Sequence, residues 1–296
     1  MRVDAHQHYW QLSRGDYGWL TPQLTELYRD YMPDDLAVLL STHNIQHTIV
    51  VQAAPTVAET VYLLDLAAAQ KTIGGVVGWV DLSAVDAVKQ IQTLCGYSGQ
   101  ANRAGALPGE EYGAGDSQQR MLKGLRPMLQ DITDDDWMLQ PQLQSALTFM
   151  AQQKLCFEAL VEPRHLANLK QFIQQNPELV VVIDHGAKPN IGSGAFTAWA
   201  EGISAIAADG KTYCKLSGLL TEAGDDWSLA SIKPYVDHLL ACFGPYRLLW
   251  GSDWPVLNLA ADYSRWCELT DRLLSRLNDA ERAAVLGLNA MKFYRL

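Results

Sequence analysis

The chain opens MRVDAHQHYW, with His6 and His8 one residue apart. An imidazole can give or take a proton near neutral pH and can ligate a divalent ion through a ring lone pair. An H-x-H pair is therefore a candidate for chemistry, although alone it is a weak signal that surface or backbone-bonded core histidines also produce. Its company strengthens it. His185 in VVVIDHGAKP and Asp253 in LLWGSDWPV also close short apolar runs, as the histidine pair does. Singly, each has a plain explanation, since Asp before X-Pro commonly fixes a turn. Three histidines and one aspartate closing three such runs are better explained as one site.

Positioning these residues falls to eight β-branched or apolar runs: 2–8, 47–54, 74–82, 122–129, 155–162, 179–185, 212–218 and 247–253. Near-continuous stretches such as LVVVI suit parallel strands buried on both faces. Amphipathic segments separate them; Leu166, Leu169 and Phe172 recur at helical spacing, and that pattern stops before Pro177. Eight strand–helix units predict a single α/β domain over 1–296, a distorted (β/α)8 TIM-type barrel with its active site at the C-terminal strand ends. A doubly wound open sheet fits less well, because no glycine-rich phosphate turn follows any strand. His6 and His8 share one side of strand one, while Gln52, Trp79, Arg126 and Glu158 fall at or near the ends of strands two to five. The Gly-, Ala- and Ser-rich stretch 95–119 lacks periodicity and is expected to be a mobile insertion on the opposite face.

Composition narrows the partners. Lys plus Arg number 23 against 33 Asp plus Glu, a net charge of −10 that repels nucleic-acid backbones and anionic lipid surfaces. The five cysteines form no C-x-x-C pair, so neither a disulfide framework nor a structural zinc site is expected, in keeping with a reducing cytoplasm. The start lacks the pattern of a secretory signal, and no apolar run approaches the roughly 20 residues of a membrane span. The expectation is a cytoplasmic enzyme acting on a small molecule; nothing in the sequence speaks to its oligomeric state.

VDAHQHYW, VDLS, GLRPMLQD, IDHGAKP, KLSGL and LLWGSDWPV occur in order across nearly the whole chain, before a terminal LGLNAMKFYRL. Together they resemble the amidohydrolase superfamily in its amidohydrolase-2 branch, most closely the sugar-lactonase group with its L-fucono- and L-rhamnono-lactonase-like enzymes. The resemblance implies a distorted barrel with His-x-His on strand one, His on strand six and Asp on strand eight, positions held here by His6, His8, His185 and Asp253. Two departures stand out. Ala187 replaces a glycine usual before Lys188, which puts the turn carrying Lys188 in question. Binuclear members also need a carboxylated Lys or a Glu on strand four and a His on strand five, whereas Lys123 comes too early and His165 too late.

Opening a lactone needs a polarised carbonyl, an activated water and a proton for the departing alkoxide. Asp253 suits the general base. His6, His8 and His185 can donate hydrogen bonds to the carbonyl, or hold one divalent ion, zinc, with Glu158 or Asp253 completing the set. Of the nine tryptophans, Trp10, Trp19, Trp79, Trp137 and Trp254 fall in or just after strand ends, where an indole can pack against a sugar ring. Trp10, Trp19, Trp79, Arg126, Gln52 and Lys188 are the expected substrate contacts. With few basic groups at the rim, a neutral sugar lactone is favoured over a dicarboxylate of the 2-pyrone-4,6-dicarboxylate type. The rivals are a zinc decarboxylase of the same branch, an amidase or deaminase, and a non-catalytic barrel.

Overall fold

The computed structural model describes residues 1–97 and 120–296. Eight parallel strands follow one another in spatial order: β1 (Arg2–Gln7), β2 (Ile45–Val51), β3 (Ile73–Gly78), β4 (Leu122–Leu125), β5 (Cys156–Ala159), β6 (Val181–Ile183), β7 (Tyr213–Leu216) and β8 (Leu248–Trp250). All eight expected strands are present. They end earlier than the apolar runs suggest, because the chain turns into its loops while still buried. Helices α1 (Pro33–Thr42), α2 (Val57–Ala69), α3 (Ala87–Cys95), α4 (Gln144–Gln152), α5 (Leu166–Gln175), α6 (Thr197–Ala207), α7 (Leu229–Phe243) and α8 (Tyr263–Leu273) surround the sheet. The stretch read as an insertion, 95–119, begins at the last residue of α3, and from 98 on it lies outside the described residues.

Two apolar layers follow from alternation along the strands. Outward-facing Val50, Val76, Leu125, Phe157, Ile183, Leu216 and Leu248 pack against the helices. Inward-facing Val3, Ala5, Ile49, Val51, Val77, Val182 and Leu249 fill the lower barrel. The C-terminal helices α9 (Asp279–Ala283) and α10 (Asn289–Tyr294) end the chain, and Ala290, Phe293 and Tyr294 of α10 close that inner cluster from below.

The ring closes between β8 and β1 with little strand ladder. Beyond β8, Asp253 N donates to the His6 carbonyl (2.7 Å) and His8 N donates to the Trp254 carbonyl (2.7 Å). Asp4 latches the same seam: its buried carboxylate accepts from Ser252 N (2.8 Å), Ser252 Oγ (2.6 Å) and Tyr263 OH (3.0 Å). The distortion expected of the barrel is localised here, and the seam joins two residues of the candidate site.

Candidate active site

Each candidate reaches the mouth by a different local device. In the β1–β2 pairing, Asp4 faces Thr48 while Gln7 faces Val50, so β1 gains one residue on β2. This bulge reverses the alternation. Val3 and Ala5 face inward below it, and His6 and His8 face inward above it. Gly251 on the neighbouring segment leaves the room, since a Cβ there would lie 2.7 Å from His6 Cβ.

His185 stands on a left-handed turn. From His185 to Lys188 every φ is positive (51°, 59°, 63° and 47°), a conformation that L-residues other than glycine adopt at a cost of about 1–2 kcal/mol each. Ala187 therefore keeps the backbone a glycine would adopt, and Lys188 reaches the mouth. The turn swings the His185 ring towards Ser217 Oγ (Nδ1 at 2.9 Å). Gly218 is required alongside, because a Cβ there would lie 2.5 Å from that Nδ1. Asp253 is also left-handed, with φ 61°.

The four groups converge. Asp253 Oδ1 lies 3.2 Å from His8 Nε2, 3.6 Å from His6 Nε2 and 3.9 Å from His185 Nε2. Burial pushes the Asp253 carboxyl up, but the charge of His185, the hydrogen bond it shares with His8 and the charges of His6 and His8 outweigh it. The group is held well below the usual carboxylate range. Burial lowers His185 to about 4. Burial, reinforced by the nearby Lys215 ammonium, takes His6 well below its ordinary value. Near neutral pH the site thus holds an ionised aspartate and at least two neutral imidazoles.

The donor set fits one divalent ion. His6, His185 and Asp253 each bring a ligand atom within 4.8 Å of the others. His8 Nδ1 lies 2.8 Å from the Val51 carbonyl, which can only accept, so in neutral His8 the Nε2 lone pair faces Asp253 Oδ1. Two buried acceptors 3.2 Å apart call for a cation between them, a proton or a metal. Glu158 falls in a different cluster, with His6 and Asp184. The centre of that cluster is taken by Lys215, whose Nζ lies 2.5 Å from Glu158 Oε2 and 3.1 Å from Asp184 Oδ1. Burial would lower Lys215, but the two carboxylates raise it. Lys123 reaches the Arg295 carbonyl, and His165 Nδ1 accepts from Glu162 N.

Above the four groups opens a cavity of about 330 Å³, lined among others by Trp19, Arg126, Met128, Leu160, Lys188, Glu222, Val256 and Leu259. Three of the six expected substrate contacts line it: Trp19, Arg126 and Lys188. Trp19 is 37% exposed, with its Nε1–H tied to the Ala53 carbonyl (2.8 Å). Lys188 pairs with Glu222 across the rim (2.9 Å). The other three do not line it. Trp10 is fully enclosed, donates to the Arg29 carbonyl and holds Trp19 edge-on at 5.5 Å. Gln52 lies buried beneath, donating to the Arg126 carbonyl (2.9 Å) while Arg126 Nη2 donates back to the Gln52 carbonyl. Trp79 is half-buried, and its backbone is bonded to the Thr60 hydroxyl. Position after a strand marks the rim but does not give the direction in which the loop folds. Sequence reasoning missed Lys215, Ser217, Glu222 and the apolar wall. KLSGL carried the one usable signal: Lys215 and Ser217, two apart on a strand buried on both faces, must both point into the barrel.

The family model described as Amidohydrolase matches residues 3–296. An L-fucono-1,5-lactonase from Burkholderia ambifaria is 42% identical over 299 residues, covering 100% of this chain and 96% of its own length. Another from Burkholderia multivorans is 32% identical over 314 residues, again covering 100% and 96%. The crystal structure of an amidohydrolase from Burkholderia multivorans with bound zinc superposes with a TM-score of 0.85 at 33% identity, covering 100% of this chain and 99% of that one.

Proposed function

The chain belongs to the amidohydrolase family, and on that premise we propose that it opens the 1,5-lactone of a 6-deoxy sugar acid, of the L-fuconate kind, to the free acid. The observation that carries this is Asp253, ionised and within 3.9 Å of three imidazole Nε2 atoms, with Asp253, His8 and His185 lining the cavity and His6 buried beneath it. The likeness to two full-length lactonases supplies the substrate class.

Asp253 accepts a proton from water as the water oxygen bonds to the lactone carbonyl carbon. The same proton then passes from the carboxyl to the ring oxygen as the C–O bond breaks. A carboxylate held this low is a weak base, so its contribution rests on position and on the short life of its protonated form. Arg126, which lines the cavity and whose Nη1 lies 3.4 Å from His6 Nε2, faces the developing oxyanion. Among the lining residues, Trp19 offers an apolar face to the ring carbons, and Leu160, Val256 and Leu259 offer an apolar wall to the deoxy carbon. Lys188 and Glu222 are placed for the hydroxyls.

One divalent ion, zinc in our reading, would be held by imidazoles of His6, His8 and His185 with Asp253, and when bound would polarise the carbonyl as a Lewis acid. The zinc-bound structural relative supports this assignment. We place the enzyme in the cytoplasm, where five free thiols are at home; among the described residues no helix is long and apolar enough to cross a membrane.

Acid release in a pH-indicator assay across aldono-1,4- and 1,5-lactones tests the reading. The 6-deoxy 1,5-lactones should turn over faster than their hydroxymethyl counterparts, and elemental analysis should give one zinc per chain. Equal rates on both would remove the apolar wall from specificity, and two tightly held ions would contradict the place given to Lys215.

A further inference from the structure

Glu59, in the first turn of α2, is a fully buried carboxylate that takes no part in the reaction described above. The helix is capped by Thr56, whose hydroxyl accepts from Glu59 N (3.0 Å). A glutamate three residues after such a cap ordinarily reaches back to the cap's own N–H. Here Thr56 N donates to the Ala54 carbonyl instead (2.9 Å), and the carboxylate turns to the chain leaving β2. Gln52 N still donates across the ladder, to the Val77 carbonyl (2.8 Å). Beyond it, in the buried pair Ala53 and Ala54, Ala53 N donates to both Glu59 oxygens (3.0 and 3.1 Å) and Ala54 N donates to Oε2 (2.8 Å).

The Ala53 carbonyl and the Ala54 N–H belong to one planar peptide unit and point in opposite directions. That carbonyl accepts Trp19 Nε1–H (2.8 Å). A single rigid plane thus has the buried carboxylate on one side and the indole on the other, and Ala53 and Trp19 both line the cavity. Trp10 bounds the Trp19 ring edge-on at 5.5 Å; the directional hold on this exposed indole is the hydrogen bond. We propose that Glu59 is a positioning residue for the substrate wall: by fixing the Ala53–Ala54 peptide it holds the Trp19 indole where the lactone ring packs. The kinetic consequence rests on the lactonase reading, whereas the state of the indole is measurable without substrate. Burial pushes the Glu59 carboxyl up to about 7, opposed chiefly by the Ala54 and Ala53 N–H groups, so the measurements are made at about pH 8, where it is ionised.

Nitrogen-15 spectra of tryptophan-labelled protein test it, with the Trp19 indole assigned from a Trp19→Phe sample. Wild-type Trp19 Nε1–H should exchange with solvent at least about tenfold more slowly than a free indole. Exchange at the free rate would overturn the proposal even if no variant folds. Glu59→Met fills the space but accepts nothing, so this protection should fall while circular dichroism stays unchanged. Lactone KM should rise about two- to tenfold, the cost of ordering one freed side chain on binding, with kcat close to wild type. In a Trp19→Ala background the same change should leave KM where it is, because a residue acting through Trp19 has nothing left to act on. Glu59→Gln offers one acceptor oxygen where Glu59 offers two, and should move both readouts the same way by less. A folded Glu59→Met protein with wild-type indole protection would overturn the proposal, as would a KM effect of equal size without Trp19. Where Glu59→Met does not fold, wild-type protection in Glu59→Gln overturns it. Failure of the lactonase reading looks different: the indole results as stated, with no turnover by wild type.

Discussion

Asp253 gathers its neighbours through position and charge together, and its replacement separates the two. Asp253→Asn keeps the shape but cannot take a proton, so kcat should fall by about 10²–10⁴ with circular dichroism unchanged. If the residue only fixes its turn, Asn should serve nearly as well and most of kcat should survive. Trp19 does a different task at the opposite wall. Its indole is anchored by Ala53 and by Trp10, so the exposed face is presented ready-made. Trp19→Ala should lose about 1.4 kcal/mol of ring contact, roughly tenfold in KM, with kcat close to wild type. Steady-state kinetics on a lactone would show it, and an unchanged KM would take Trp19 out of the substrate's path.

At the scale of elements, the seam between β8 and β1 has a pH signature. Burial raises the Asp4 carboxyl to about 6, and the hydrogen bonds from Ser252, His6 and Tyr263 only partly oppose it. A folded-state pKa above the unfolded value gives stability that is present at low pH and lost as pH rises through the folded pKa. Asp4→Asn cannot ionise. The stability of wild type relative to this variant should therefore drop by about 2 kcal/mol between about pH 4.5 and about pH 7, read by denaturant unfolding; a difference flat in pH would contradict it. The eight strands were legible because buried parallel strands write themselves as apolar runs. His6, His8, His185 and Asp253 were legible as a rim because they follow those runs. What was hidden has physical reasons. The β1 bulge is a matter of pairing, which one strand's sequence does not contain. The left-handed turn uses Ala187 and Lys188 where glycine would have announced it. Trp10 and Gln52 sit at the rim in sequence yet turn away from the cavity, and Lys215 reads as an ordinary strand lysine until Glu158 and Asp184 are seen beside it.

Across the whole molecule the two ends of the barrel are connected. Tyr294 of α10 enters from below to bond Glu158, Glu158 holds Lys215, and Lys215 meets His6 beneath the mouth. Tyr294→Phe removes one donor from a buried carboxylate and should cost about 1–3 kcal/mol of unfolding free energy, while lactone KM stays near wild type because nothing in the cavity moves. Chemical denaturation beside kinetics would check both halves, and a neutral effect on stability would mean that Glu158 finds another donor. The central claim concerns what the assembled barrel does, and its most direct test is the fate of L-fucono-1,5-lactone followed by proton NMR. With purified wild-type protein the lactone should convert to L-fuconate one for one, releasing one proton each, far faster than in the Asp253→Asn sample or in buffer alone. Wild-type conversion no faster than the spontaneous rate, for this lactone and for its relatives, would contradict the account.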